Sequence, residues 1–159
     1  MISFLYGPRQ RTARGAPDGC PDDDQETRRM DAMIKMMMHG CNGKMGRMIT
    51  EIVRGDDNAV IAAGVDTYTE APNDYPVFDS IEKCDVDVDV VIDFSTAKAV
   101  DGLLDYCTEK GLPLVLCTTG LSEEQLKKVA EASEKIAVLK SANMSLGINL
   151  LLKLLKDAA

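Results

Sequence analysis

The chain has 159 residues, 45% hydrophobic and 28% charged, which is the profile of one ordinary globular domain large enough to bury a core. A formal net charge of -8 argues against a nucleic-acid or anionic-membrane surface, and no apolar run approaches the roughly 18 residues of a membrane span. The five cysteines, Cys20, Cys41, Cys84, Cys107 and Cys117, form no Cys-x-x-Cys pair, and a single histidine makes a structural zinc site improbable; reduced thiols and a cytoplasmic setting are expected.

Residues 1–32 show neither helical nor strand periodicity. Arg9, Arg11, Arg14, Arg28 and Arg29 alternate with Pro8, Pro17, Pro21 and the acidic run at 22–24, which predicts disorder, and either a non-native leader or a misassigned start, with the domain beginning near Met33. From Ile34 the chain alternates strands and helices. The spacing predicts a strand over 34–39, a helix over 44–54 and a buried strand over 59–65. A polar loop through 76, a short strand at Val77 and Phe78 and a helical turn over 80–83 come next. Residues 86–94 begin alternating and become wholly apolar, as in a strand entering the middle of a sheet. Ser95 or Thr96 is the expected cap of a helix over 97–110 that Gly111 ends. A strand over 114–117 follows, then a helix to about 134 opened by a Ser122–Gln125 capping box, a strand over 136–140 and a helix over 146–156. Helices between near-continuous apolar strands predict an α/β fold, a Rossmann-type parallel sheet covered on both faces.

The chemistry concentrates in one turn. Gly40-Cys41-Asn42-Gly43-Lys44-Met45-Gly46-Arg47 sits between the first strand and its helix, where free N–H groups and the helix dipole favour an anion. The glycines have two readings, close packing of a tight turn or close approach of a pyrophosphate. Asp66 stands twenty residues past Gly46 at the end of the second strand, as a ribose-binding acid does, although a plain loop carboxylate is the alternative. An acid there disfavours a 2′-phosphate and leans toward NADH over NADPH, with Lys44 and Arg47 as the countervailing charges. Asp93-Phe94-Ser95, Cys117-Thr118-Thr119-Gly120 and Ser141-Ala142-Asn143-Met144-Ser145 fall at later strand ends, on the edge where open parallel sheets bind ligands. His39 reads as a packed or turn-bonded side chain, and no catalytic residue or metal ligand is assigned.

In the same order, the segments 39–47, 91–95, 118–120 and 141–149 resemble those of dihydrodipicolinate reductase (4-hydroxy-tetrahydrodipicolinate reductase), an enzyme of the diaminopimelate route to lysine. The resemblance covers about residue 34 to the C-terminus. It implies that 40–47 cradle a pyrophosphate, that Asp66 holds the adenosine ribose, and that Cys117, Thr118, Thr119 and 141–144 surround a nicotinamide. It also implies a homo-oligomer and a downstream substrate domain with a His/Lys segment and a Ser-Gly-Thr turn, neither of which this sequence contains. The expectation is therefore a cofactor-binding half that ends early and by itself turns over negligibly. Another amino-acid-pathway dehydrogenase and a non-catalytic dinucleotide-binding module are the alternatives.

Overall fold

The computed structural model describes residues 33–141 and 154–155. Among these residues six strands form one parallel sheet: β1 (Ile34–His39), β2 (Ala59–Val65), β3 (Val77–Phe78), β4 (Val90–Asp93), β5 (Leu114–Leu116) and β6 (Val138–Lys140). They are linked through α1 (Lys44–Arg54), α2 (Val100–Lys110) and α3 (Glu123–Ser133), with single 3₁₀ turns at Ile81–Lys83 and Ala97–Ala99. The order β3-β2-β1-β4-β5-β6 is that of a Rossmann sheet. The chain winds outward from β1 to β3, then crosses back to lay β4 on the other side of β1. Loops leaving β1 and β4 therefore part in opposite directions and open a crevice above their carboxyl ends.

Both faces of the sheet are covered, which is why its strands are mostly apolar, with polar residues only at or next to their ends. Met37 of β1 packs with Val91, Leu114 and Leu116, under Val100, Leu103, Leu104 and Cys107 of α2 and Val129 and Ala132 of α3. Its neighbour Met38 faces the other way, onto Cys41, Ile61, and Ile49 and Val53 of α1. Pairing of β1 with β2 slips by one residue, so that Met36 partners Ile61 but Met37 partners Ala63. Ile61 accordingly packs on the α1 side while Ala63 and Val65 pack on the α2 side, although simple alternation would place all three together. The slip turns Gly64 toward α1, where an added Cβ would lie 2.7 Å from the Cys41 Sγ.

Three expectations need correction. The strand predicted over 86–94 is only Val90–Asp93. Val88 is buried and Val86 leans on the core, but bonding to β1 begins only at the Asp89 N–H, which donates to the Lys35 carbonyl at 2.8 Å, and leaves no ladder for 86–88; the alternation there records burial alone. Neither Ser95 nor Thr96 caps the following helix with its side chain. The Ser95 N–H instead bonds the Asp93 carboxylate, and the chain enters α2 through the 3₁₀ turn. The strand predicted over 136–140 begins at Val138, because the Ile136 N–H is still bonded to the Ala132 carbonyl at the end of α3. The helix predicted over 146–156 lies outside the described residues except for Leu154 and Leu155, which are helical.

Candidate nucleotide-binding site

The crevice at the switch point is a cleft of about 450 Å³, lined by His39, Gly40 and Gly43 from the first turn, Asp66 and Thr67 after β2, and Phe94, Ser95 and Thr96 after β4. The turn that enters it is held tightly. Gly40 donates its N–H to the Val65 carbonyl at 2.8 Å, and Gly43 donates to the Gly40 carbonyl at 3.2 Å. Gly40 has φ +81°, and a Cβ there would stand 2.8 Å from the Phe94 carbonyl oxygen. A Cβ on Gly46 would be 2.3 Å from the Gly40 carbonyl oxygen. These two glycines are required by the fold itself, whatever binds nearby.

Gly43 is different. Its φ of -69° suits any residue, and an added Cβ would meet only the Gly40 carbonyl, at 3.2 Å. It is the exposed N-cap of α1, and the helix has no side-chain cap and no acid in its first turn. By contrast α3 carries a complete capping box, with Gln125 N–H on the Ser122 hydroxyl, Ser122 N–H on the Gln125 side chain, and Glu123 and Glu124 in its first turn. The start of α2 also borders the cleft and has no side-chain cap, but Asp101 stands in its first turn; among the described α-helices α1 alone has neither cap nor acid, which leaves its N-terminal N–H groups and dipole open to an anion.

Asp66 closes the other wall. Its Oδ2 accepts the Asn42 N–H at 2.9 Å and its Oδ1 accepts the Tyr68 N–H at 3.1 Å, which ties the glycine turn to the loop after β2. Asn42 is braced further, its Oδ1 accepting from the Asn73 amide at 3.0 Å. A carboxylate offers about four lone-pair positions, so two backbone donors leave Asp66 capacity for a diol. Cys41 is fully buried beneath Gly64, and contributes backbone rather than thiol to the turn. Lys44, Met45 and Arg47 are exposed along the start of α1.

The remaining sequence candidates are distributed unevenly. Cys117 and Thr118 are buried at the end of β5, with Thr119 and Gly120 exposed beyond them, all outside the lining of this cleft. Ser141 follows β6, its N–H bonded to the Leu116 carbonyl at 3.0 Å. Ala142, Asn143, Met144 and Ser145 lie outside the described residues.

Asp93, which the sequence offers only as the first residue of a strand-end segment, is the most heavily bonded group at the site. Asp93, 0% exposed, accepts from His39 Nδ1 at 2.8 Å, from the Ser95 N–H at 3.1 Å and from the Thr118 hydroxyl at 2.6 Å. Burial alone, the largest effect, would push its carboxyl up. The hydrogen bonds from His39, Ser95 and Thr118, with the His39 charge, outweigh it and hold the group below the usual aspartate range. His39 and Asp93 are register partners on adjacent strands. The available signal is that each is the polar residue closing an apolar strand. The cleft also takes in Asp79, Ser80, Glu82 and Lys98, from segments read only as loop and helix.

The family model described as "Dihydrodipicolinate reductase, N-terminus" matches residues 34–144. This chain belongs to the dihydrodipicolinate reductase family. The family's 4-hydroxy-tetrahydrodipicolinate reductase from Clostridium tetani is 50% identical over 125 residues, covering 79% of this chain and 49% of that protein. The same enzyme from Caldanaerobacter subterraneus subsp. tengcongensis is 46% identical over 127 residues, 80% of this chain and 50% of its own length. The chain thus spans about half the length of the curated relatives it matches. Among solved structures, the dipicolinate-bound dihydrodipicolinate reductase from Paenisporosarcina sp. TG-14 superposes with TM-score 0.56 at 26% identity, over 63% of this chain and 43% of that one. The WlbA dehydrogenase from Chromobacterium violaceum, solved with NADH and UDP-GlcNAcA, superposes with TM-score 0.61 at 16% identity over 70% of this chain and 35% of its own, a likeness of fold alone. Among the described residues no helix is long and apolar enough to cross a membrane.

Proposed function

We propose that this chain is the nicotinamide-dinucleotide-binding part of a reductase that converts 4-hydroxy-tetrahydrodipicolinate to tetrahydrodipicolinate. The observation that carries the cofactor assignment is Gly43, an exposed N-cap glycine whose φ suits any residue and which is far less crowded than Gly40 or Gly46, on an uncapped helix beside Asp66 at the cleft. In this reading the N–H groups at 43–46 meet the pyrophosphate and Asp66 accepts from the adenosine ribose. The same reading assigns the segments 117–120 and 141–144 to the nicotinamide end. The cofactor supplies hydride when bound, and the chain's own residues bind, orient and exclude water. The substrate assignment rests on the family and on relatives that bear that activity's name.

NADH is the favoured form. A 2′-phosphate would stand beside the Asp66 carboxylate, in a cleft whose lining holds Asp79 and Glu82 against the single ammonium of Lys98. The nucleotide-binding unit starts at Met33 in this reading, supported by the family match beginning at residue 34. Calorimetric titration of the 159-residue chain with NADH and with NADPH tests it. Saturable binding that is tighter for NADH is expected, and is lost in Gly43→Val. Unchanged affinity in that variant would refute the site.

A further inference from the structure

The Asp93 carboxylate has a role to explain, since a buried charge costs stability unless bonded and no ligand-binding duty requires it to be ionised there. Its partners answer the question by location. His39 ends β1, Asp93 ends β4, and Thr118 follows β5, so one side chain ties together the carboxyl ends of three central strands. Through its Oδ1 it also captures the Ser95 N–H, bending 93–95 into an Asx-type turn. That turn is the back wall of the phosphate site. The Phe94 N–H bonds the His39 carbonyl at 3.0 Å, and the Phe94 carbonyl packs against Gly40 so closely that no Cβ fits between them.

We propose that His39 is a positioning residue for nucleotide binding: its Nδ1–H, anchored on the buried Asp93 carboxylate, holds the 93–95 turn against Gly40 and thereby sets the floor of the phosphate turn. The inference rests on the nucleotide reading of this site. An ionised carboxylate only accepts, so Nδ1 carries the proton and the neutral ring is the Nδ1–H tautomer. The ring also lines the cleft, with Asp66, Asp79, Glu82 and Lys98 as the charged groups around it and Asp93 behind it. Removing the Nδ1 donor withdraws one of three bonds from a fully buried charge, and the turn loses its tether next to Gly40.

His39 is the sole histidine of the chain, so its ring can be read alone. Nitrogen-15 NMR of the labelled 159-residue chain should show the Nδ1–H tautomer; the Nε2–H form would overturn the proposal. NADH titrations of folded variants supply the second readout. His39→Asn keeps an amide donor where Nδ1 stands and should bind within about threefold of wild type, whereas His39→Leu should lose about tenfold or more. Equal binding by His39→Leu, or an equal loss in His39→Asn, sinks the idea. Should His39→Leu not fold, Thr118→Val removes another of the three bonds with little change of shape. It should weaken NADH binding by about threefold, and undiminished affinity there counts against the proposal. A wild-type chain that binds neither NADH nor NADPH overturns the nucleotide reading and this inference together. Wild-type binding with an indifferent His39→Leu overturns this inference alone.

Discussion

A methyl group added at Gly46 would lie 2.3 Å from the Gly40 carbonyl oxygen, whereas one added at Gly43 meets only that oxygen, at 3.2 Å. Gly43→Ala should therefore melt within about 1 kcal/mol of wild type yet lose NADH affinity by about tenfold or more, because its methyl occupies the face a phosphate approaches. Gly46→Ala should lose about 3 kcal/mol of folding stability or more in denaturant titrations, and says nothing about ligands. The sequence motif is legible as a turn at this scale, but its spacing does not separate the two kinds of glycine. That distinction needs the folded turn, where the Gly40 and Cys41 carbonyls close on Gly46, and, for Gly40, the Phe94 carbonyl brought in from more than fifty residues away. For the same reason His39 and Asp93 pass unnoticed as a pair: their meeting depends on strand register, which no local pattern encodes. The thiols yield a further expectation. Burial, reinforced by the Asp66 charge, pushes Cys41 up to about 11, and burial pushes Cys107 to about 12 and Cys117 to about 11, the Asp93 charge adding to each. Iodoacetamide at neutral pH should leave all three unmodified in native protein, as mass spectrometry of the peptides would show.

Helix starts carry opposite messages in α1 and α3. In α3 the Ser122–Gln125 box is complete, and Gln125 also donates to the Ala97 carbonyl and the Asp101 carboxylate, fastening α3 to the entrance of α2. Ser122→Ala should cost about 1 kcal/mol, read as a lowered denaturation midpoint with NADH affinity unchanged. The box is legible from two residues three apart, because each partner lies within one turn. The entrance of α2 is not, since Ser95 carries the right side chain while its N–H is already committed to Asp93. Length is the other blind spot: Val86 and Val88 turn inward in alternation, but ladder hydrogen bonds need a neighbouring strand, and β1 reaches back only as far as Asp89.

For the molecule as a whole, the parallel sheet, its two covered faces and a ligand edge at the strand carboxyl ends follow from alternation of strands and helices, and these are legible in outline. The one-residue slip beside Met37 is not, because it arises between strands. Acid stability is also a property of this scale. Asp93 titrates lower folded than unfolded, so its contribution is fully present above the ordinary aspartate value of about 3.9 and is lost as pH falls through the lower folded value. Asp93→Asn should flatten the pH dependence of melting temperature in that acid window. The acids of the cleft have a kinetic consequence as well. Asp66, Asp79 and Glu82 face Lys98 there, on a chain of net charge -8, so an anionic dinucleotide approaches against a repulsive field and meets the helix N-terminus only at close range. Stopped-flow association of NADH should accordingly quicken, not slow, as salt is raised from about 0.02 to about 0.5 M, because screening reaches the distant repulsion before the buried contacts.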